Sequence, residues 1–161
     1  MKKRIAIYPG TFDRVTNGHL DIIERTARIF ERLVVAIVRN PDKAPFFTEG
    51  ERIEMLRRSV ARYSNVVVDS FEGLLVQYAV QTKAEAIIRG LRAVSDFDFE
   101  FQMALFNRRM KSNVETLFMM TDYKYTYLSS SLVKQISLLG GNIQGLVPPI
   151  VEKYLQKKRE K

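Results

Sequence analysis

Short apolar runs alternate with longer amphipathic segments along the chain. Each apolar run is continuous rather than alternating, which is typical of strands covered on both faces of a sheet. The runs predict five strands, at residues 5–8, 33–38, 66–68, 86–88 and, more weakly, 116–120.

Apolar residues spaced three or four apart predict helices between these strands. Thr48 and Glu51 form a capping box at the start of one helix, and Gly140 is expected to end another. Ser95 with Asp98 is expected to cap the helix before the fifth strand, although the alternation over 96–101 also fits a strand. A last helix opens at the two prolines 148 and 149.

The order of these elements is β-α-β-α-β-α-β-α-β-α-α. Strands that alternate with helices build a parallel sheet with right-handed crossovers and helices on both faces. The sequence therefore predicts an α/β fold: a single doubly wound, Rossmann-like domain with a five-stranded parallel sheet over residues 1–161. The end of the chain, about 157–161, is a basic C-terminal tail. In such sheets ligands bind beyond the carboxyl ends of the strands, where the strand order reverses.

Composition removes several classes of function. The 161 residues include no cysteine and one histidine, which excludes disulfides, thiolate nucleophiles and multi-histidine zinc sites. No apolar run is long enough for a membrane span or a signal peptide, so we expect a cytoplasmic protein without a membrane partner. The net charge of +8 points to an anionic partner, such as a nucleic acid, a membrane surface or a phosphorylated small molecule.

The loop after the first strand carries candidate chemistry. It has the sequence Tyr-Pro-Gly-Thr-Phe-Asp-Arg-Val-Thr-Asn-Gly-His and leads into the first helix. N–H groups at a helix N-terminus bind anions, and Gly10 and Gly18 allow a ligand to approach the backbone. His19, in the first turn of the helix, can donate a hydrogen bond to a phosphate oxygen. The alternative is that Thr16 or Asn17 only caps the helix and His19 is a surface or packed residue.

Three later loops place further donors at the same edge of the sheet. Lys43 lies between two prolines after the second strand. Arg89 and Arg92 flank Gly90 after the fourth strand and can form paired bonds to phosphate. Three serines, at 129–131, open the helix after the fifth strand. Taken alone, these segments also fit a solvated loop lysine, a salt-bridged helix entry and a polar helix cap.

The motifs together identify a family. Thr-x-Gly-His at 16–19 is typical of nucleotidyltransferases related to the class I aminoacyl-tRNA synthetases, whereas the dinucleotide fingerprint and the P-loop are absent. With Tyr-Pro-Gly-Thr-Phe-Asp before it, the chain resembles the bacterial phosphopantetheine adenylyltransferase family over essentially its whole length. The resemblance implies direct in-line transfer of the adenylyl group of ATP to 4′-phosphopantetheine. The products would be dephospho-coenzyme A and pyrophosphate, with no covalent enzyme intermediate.

The resemblance also implies which residues act. The catalytic residues would be His19, Lys43 and Arg92. The acceptor would be bound by Thr11, Lys43, Leu75 and Arg89. ATP would be bound by Thr11, Phe12, His19, Gly90, Leu91, Arg92, Glu100, Tyr125, Thr126, Tyr127, Leu128, Ser129, Ser130 and Ser131.

Cofactors and partners follow from the same resemblance. It implies a requirement for Mg²⁺, a homohexamer and feedback inhibition by coenzyme A. We expect Mg²⁺ to sit mainly on the phosphates, since no carboxylate cluster suggests a metal site built by the protein alone. Arg14 departs from the family pattern, which usually has proline at this position, and we expect it either to loosen the turn or to add positive charge near the phosphates.

Two alternatives stay open at this point. The first is a nucleotidyltransferase of the same superfamily with another phosphorylated acceptor, against which Lys43 and the segment 89–92 argue. The second is a basic nucleic-acid-binding module. Such a module would cluster basic residues and aromatics on one face, whereas here the basic residues are dispersed, so we expect no nucleic-acid partner.

Overall fold

Five parallel strands form a single sheet in the computed structural model, which describes residues 4–40 and 44–160. The strand order is β3-β2-β1-β4-β5. The predicted five-stranded parallel sheet is confirmed, and the strands run past the apolar segments that predict them. The strands are β1 (Ile5–Gly10), β2 (Arg32–Arg39), β3 (Val66–Glu72), β4 (Ala86–Leu91) and β5 (Glu115–Met120).

Helices connect the strands and cover both faces of the sheet. They are α1 (Asn17–Ile29), α2 (Glu49–Val60), α3 (Leu75–Gln81), α4 (Val94–Met110), α5 (Ser130–Leu138) and α6 (Pro149–Arg159), with a short 3-10 helix at Tyr123–Tyr125. Residues 157–159, which composition alone assigns to a tail, form the last turn of α6.

The helix ends show where local sequence decides the structure. The capping box of α2 forms as predicted, since the Thr48 hydroxyl accepts from the N–H of Glu51 at 3.2 Å and the Glu51 carboxylate accepts from the N–H of Thr48 at 2.8 Å. The predicted cap of α4 by Ser95 and Asp98 is wrong. The helix already begins at Val94, so Ser95 lies inside the first turn, where its backbone cannot take the extended conformation of a cap.

The core has one layer on each face of the sheet. Ile22, Leu56 and Val133 pack with β-strand residues in the larger layer, beneath α1, α2, α5 and α6. The smaller layer joins the opposite face to α3, as in the stacked pair Phe71 and Tyr78. Helix α4 buries little of itself, because several of its apolar side chains face solvent.

The strand order reverses beside β1. The chain runs from β1 to β2 and β3 on one side and then returns to place β4 and β5 on the other. The carboxyl ends of β1 and β4 are therefore the switch point at which ligands bind in doubly wound folds.

Candidate active site

A cleft of about 520 Å³ opens at this switch point. Backbone and side chains of four post-strand segments meet there, as the sequence predicts. The lining residues are Tyr8, Pro9, Gly10, Thr11, Phe12, Thr16, Gly18, His19, Val38, Asn40, Arg89, Gly90, Arg92, Glu100, Thr121, Leu128, Ser129, Ser130 and Ser131.

The first wall of the cleft is the loop after β1. Phe12 is buried with a left-handed backbone, φ +44°, which a bulky residue adopts only when its surroundings enforce it. Its ring lies over Gly10, where an added Cβ would come within 3.0 Å of the ring. The carbonyl of Thr11 accepts a hydrogen bond from buried Arg52 at 2.9 Å, which holds the exposed Thr11 side chain at the cleft.

His19 takes part in capping α1 and also lines the cleft. Its Nδ1 accepts a hydrogen bond from the N–H of Thr16 at 3.0 Å, and its own N–H donates to the Thr16 hydroxyl at 3.3 Å. The sequence offered capping and ligand binding as alternatives, and the two ring nitrogens allow both. Because Nδ1 is an acceptor, the proton of the neutral ring resides on Nε2.

The surroundings of His19 keep the ring neutral. Burial beside the rings of Tyr8 and Phe12, and secondarily the positive charge of Arg92, lower the pKa of His19 to about 4. The imidazole is therefore a neutral Nε2–H donor at physiological pH.

Helix α5 presents its N-terminus on the facing side of the cleft. The Ser129 hydroxyl caps the helix by accepting from the N–H of Leu132 at 3.0 Å, and the Ser130 hydroxyl donates to the carbonyl of Arg14 at 2.8 Å. The hydroxyls of these two serines are therefore already engaged in hydrogen bonds within the protein. The N–H groups of Ser130 and Ser131 and the Ser131 hydroxyl are left for an anionic ligand.

Two arginines frame the end of β4. Arg89 is held by Glu100 through two bonds, Nε to Oε2 at 2.6 Å and Nη2 to Oε1 at 2.5 Å. Arg92 is more exposed, and its Nε lies 3.4 Å from Asp96 while its Nη1 donates to the carbonyl of Leu128 at 3.4 Å. Arg89 is thus fixed in place, whereas Arg92 retains freedom to meet a ligand.

The loop after β2 is attached to the loop after β1 through Asp13. Its two carboxylate oxygens accept from the N–H groups of Phe46 and Phe47, both at 2.9 Å. Arg14 pairs with the same carboxylate at 3.0 Å and lies over the ring of Phe46, so the residue that replaces the family proline is a buried part of this joint. Lys43 lies in the same loop but outside the described residues.

The structure does not bring every predicted residue to the cleft. Among the described residues, Leu75 packs against the smaller core layer and Tyr125 faces a second cavity beside α1. Leu91, Thr126 and Tyr127 also lie outside the lining of the cleft. The remaining predicted residues in the described part of the chain all line it.

The sequence interpretation missed several lining residues, notably Tyr8 and Thr121. Both lie at or directly after the carboxyl end of a strand, Tyr8 in β1 and Thr121 after β5. The strand-end rule alone would have selected them, but neither belongs to the motif residues to which the family assigns a role.

A doubly wound sheet whose switch point carries two helix N-termini, a neutral histidine and two arginines is typical of nucleotidyltransferases. The cytidylyltransferase-like family model matches residues 7–136. Phosphopantetheine adenylyltransferase of Carboxydothermus hydrogenoformans is 54% identical over 158 residues, covering 98% of both chains. The enzyme of the same name from Geobacter sulfurreducens is 53% identical, covering 98% of this chain and 96% of the relative. The chain therefore belongs to the phosphopantetheine adenylyltransferases within the cytidylyltransferase-like family.

Solved structures support the fold. A putative nicotinate-nucleotide adenylyltransferase from Vibrio parahaemolyticus superposes with a TM-score of 0.69 at 18% identity, covering 99% of this chain and 98% of the other. A lipopolysaccharide core biosynthesis protein from Thermoplasma volcanium superposes with a TM-score of 0.57 at 19% identity, covering 75% and 99%. At such identities the likeness extends to the architecture only.

Within residues 4–40 and 44–160, no three side chains of His, Asp or Glu come together as a metal site. In the same part of the chain, every helix is too short or too polar to cross a membrane.

Proposed function

We propose that this chain transfers the adenylyl group of ATP to 4′-phosphopantetheine, forming dephospho-coenzyme A and releasing pyrophosphate. The observation that carries the mechanism is the hydrogen bond from the Thr16 N–H to Nδ1 of His19, at 3.0 Å. It fixes the tautomer in which Nε2–H is available as a donor at the cleft. The names of relatives that are about half identical over nearly the whole chain support the choice of substrates.

Catalysis then depends on orientation and charge. The acceptor phosphate is already ionised at neutral pH, so it attacks the α-phosphorus of ATP without a general base. The oxygen that bridges to the β-phosphate leaves with the electron pair as pyrophosphate. His19 Nε2–H, the N–H groups that open α5 and the Arg92 guanidinium stabilise charge on the phosphate oxygens. We assign Lys43 to the transferring phosphate, by its place in the family motif.

We assign the two substrates to opposite faces of the sheet. Phe12, His19 and Gly90 lie on the side of α1 and α5, where we place the nucleotide. Arg89, whose orientation Glu100 fixes, lies on the α3 and α4 side, where we place the acceptor phosphate. Leu75 would meet the pantetheine arm at the edge of that side. Tyr125, Thr126 and Tyr127 would reach adenine by closure of their segment over the cleft.

We propose Mg²⁺ as the cofactor. The described part of the chain offers carboxylates singly rather than in clusters, and most of these are engaged in ion pairs. This donor set fits an ion held by nucleotide phosphates and water, which is the usual mode for Mg²⁺. When bound, the ion neutralises phosphate charge, while orientation remains the task of His19, Arg89 and Arg92.

We also propose a homohexamer and inhibition by coenzyme A, and we retain the cytoplasmic location as a prediction. Helix α4 supports the assembly, since Val94, Phe99 and Phe106 are 88%, 65% and 58% exposed. Several exposed apolar side chains on one helix are typical of an interaction surface. Coenzyme A contains the pantetheine arm of the acceptor and an adenine nucleotide, so it can occupy both sides of the cleft.

A complete reaction tests the proposed activity. Purified protein with Mg²⁺, ATP and 4′-phosphopantetheine should form dephospho-coenzyme A and pyrophosphate, and omission of any one of the three should stop the reaction. CTP should replace ATP poorly. The reverse reaction should also run, since one phosphoanhydride is exchanged for another. Pyrophosphate release without an acceptor would contradict direct transfer.

The assay also separates the acceptor alternatives. Nicotinate mononucleotide and glycerol phosphate serve as competing acceptors, and coenzyme A should raise the melting temperature more than either. Product formation with one of these acceptors, and none with phosphopantetheine, would assign the chain to a different branch of the family.

A further inference from the structure

Tyr8 has a buried ring and a hydroxyl that forms no hydrogen bond with the described residues. It lies in β1, two residues before the strand ends at Gly10, and only 6% of the side chain is exposed. The ring packs in the larger core layer, with its edge against Phe12 at 5.4 Å between centroids. Packing therefore accounts for the ring but not for the hydroxyl.

The Tyr8 hydroxyl reaches the wall of the cleft. It makes no hydrogen bond within residues 4–40 and 44–160, and Tyr8 is nonetheless one of the lining residues. The ring is buried, but the oxygen is not an enclosed atom without a partner, because it opens to the cleft. A tyrosine buried to this degree normally places its hydroxyl where a partner can reach it. The missing partner is expected on the ligand side of the wall.

The position of the hydroxyl points to the nucleotide rather than to the acceptor. An added Cβ on Gly90 would lie 3.6 Å from the hydroxyl oxygen, and the His19 ring centroid is 6.5 Å from that of Tyr8. Gly90, His19 and Phe12 are the residues to which we assign ATP. Arg89 and Glu100 extend from the opposite face of the sheet.

Electrostatics makes the hydroxyl a donor. Burial raises the pKa of Tyr8 well above its ordinary value, against the opposing influence of the positive charges on Arg89 and Arg92. The proton is retained across the physiological pH range, so the group can donate a hydrogen bond but does not act as a base.

We propose that the Tyr8 hydroxyl donates a hydrogen bond to a nonbridging phosphate oxygen of the bound nucleotide, which makes Tyr8 a catalytic residue in addition to those that the resemblance implies. The proposal rests on the adenylyl-transfer function above. Tyr8 keeps its proton throughout and stabilises negative charge beside His19 Nε2–H. The space between Gly90 and the hydroxyl is open. An added Cβ at position 90 would fit there, with its nearest protein atoms at ordinary contact distances of 3.5 Å or more.

Tyr8→Phe tests the proposal, because it removes the hydroxyl and retains the ring. We expect kcat/KM for ATP to fall about 10- to 100-fold, which corresponds to one hydrogen bond to a charged group. The melting temperature without ligands should stay about the same, since the hydroxyl opens to the cleft and bonds no other group of the described residues. KM for phosphopantetheine should change by less than about threefold.

Tyr154→Phe is the matched control. The Tyr154 hydroxyl donates to Glu54 at 2.6 Å in the contact between α6 and α2, away from the cleft. This variant should lower the melting temperature and leave kcat/KM unchanged. The two tyrosines thus give opposite patterns if the Tyr8 hydroxyl serves a ligand and the Tyr154 hydroxyl serves the fold.

Two results would overturn the role of Tyr8. One is a kcat/KM for ATP within about twofold of wild type in Tyr8→Phe. The other is a drop in the ligand-free melting temperature like that of Tyr154→Phe, which would make the hydroxyl structural.

Failure of the proposed function is a separate outcome. A wild-type protein that forms no dephospho-coenzyme A would refute the function. Calorimetric titration of wild type and Tyr8→Phe with Mg²⁺·ATP would then test the hydrogen bond from Tyr8 separately. Binding weakened about tenfold or more in Tyr8→Phe supports the hydrogen bond to phosphate, and equal binding refutes it.

Discussion

Arg14 and Ser130 hold each other through two hydrogen bonds of opposite direction. The Nη1 of Arg14 donates to the carbonyl oxygen of Ser130 at 3.3 Å, and the hydroxyl of Ser130 donates to the carbonyl oxygen of Arg14 at 2.8 Å. The residues are 116 positions apart in the chain. This pair joins the loop after β1 to the helix N-terminus that faces it across the cleft, so it sets the width available to a bound phosphate.

The first prediction concerns Arg14. Arg14→Ala should lower the free energy of unfolding by about 3 kcal/mol, because Arg14 is a buried partner of Asp13 and its loss leaves that carboxylate without a cation. It should also raise KM for ATP, since the N-terminus of α5 loses its attachment to the loop after β1. Urea denaturation and steady-state kinetics measure the two effects.

Two variants control for this result. Arg28→Ala removes an exposed pair with Glu24 and should change the free energy of unfolding by less than about 1 kcal/mol. Arg14→Lys keeps a cation near Asp13 but has no planar fork to reach Ser130 as well, so it should recover only part of the loss. Equal stability of Arg14→Ala and wild type would show that the joint does not support the fold.

The sequence predicted the architecture well because short local patterns determine most of the strands and helix ends. The continuous apolar runs of β1 and β2 identified central strands, and the Thr48–Glu51 box marked the start of α2. The start of α4 was missed because it depends on the turn after Arg92 rather than on Ser95 itself. A serine at the right spacing does not cap a helix that has already begun.

Side-chain pairing in the site was harder to predict. The motif identified His19, but only the three-dimensional arrangement shows that Nδ1 is occupied by Thr16 and that Nε2 is the available donor. The sequence suggested that Arg14 loosens the turn or adds charge near the phosphates. The structure shows Arg14 buried, paired with Asp13 and bonded to Ser130, a contact distant in sequence. Tyr8 stands in the Tyr-Pro-Gly-Thr-Phe-Asp string near the end of a strand, but nothing in the sequence assigned a role to its hydroxyl.

His19→Ala should lower kcat about 10²- to 10³-fold while changing ATP binding much less, since a donor to developing charge acts mostly in the transition state. The variant should fold, with a loss of about 1 kcal/mol from the helix cap. His19→Gln should recover that stability, because glutamine at this position can accept from the N–H of Thr16. Near-normal turnover by folded His19→Ala would rule out the phosphate role.

Stability should depend on pH through the same residue. The pKa of His19 is lowered to about 4 in the folded protein, below its ordinary value of 6.5, so the unfolded chain binds the proton first as the pH falls. The folded protein should lose on the order of 2 kcal/mol between pH 7 and pH 4.5 from this group, and the loss should begin below about pH 6.5. Urea denaturation of wild type and His19→Gln at both pH values isolates this contribution. A pH dependence that is identical in the two proteins would contradict it.

The transferring phosphate is expected to need positively charged side chains beside it. Lys43→Ala and Arg92→Ala should both reduce kcat, and Lys43→Gln should not restore it, because an amide offers donors without charge. Single-turnover kinetics with saturating ATP and phosphopantetheine would separate the chemical step from binding. If Lys43→Gln keeps most of the activity, Lys43 is only a loop residue and the charge must come from elsewhere.

The exposed face of α4 should decide the oligomeric state. Phe99 and Phe106 are 65% and 58% exposed, so replacing both with aspartate removes little from the core of the protomer but introduces charge into any interface built on this helix. Sedimentation equilibrium should show a hexamer for wild type and smaller species for the double variant, with a similar circular dichroism spectrum. Ile29→Asp, at the end of α1 and 51% exposed, is the control and should leave the assembly intact. A double variant that still sediments as a hexamer would place the interface on another surface, and a wild-type monomer would overturn the proposed assembly.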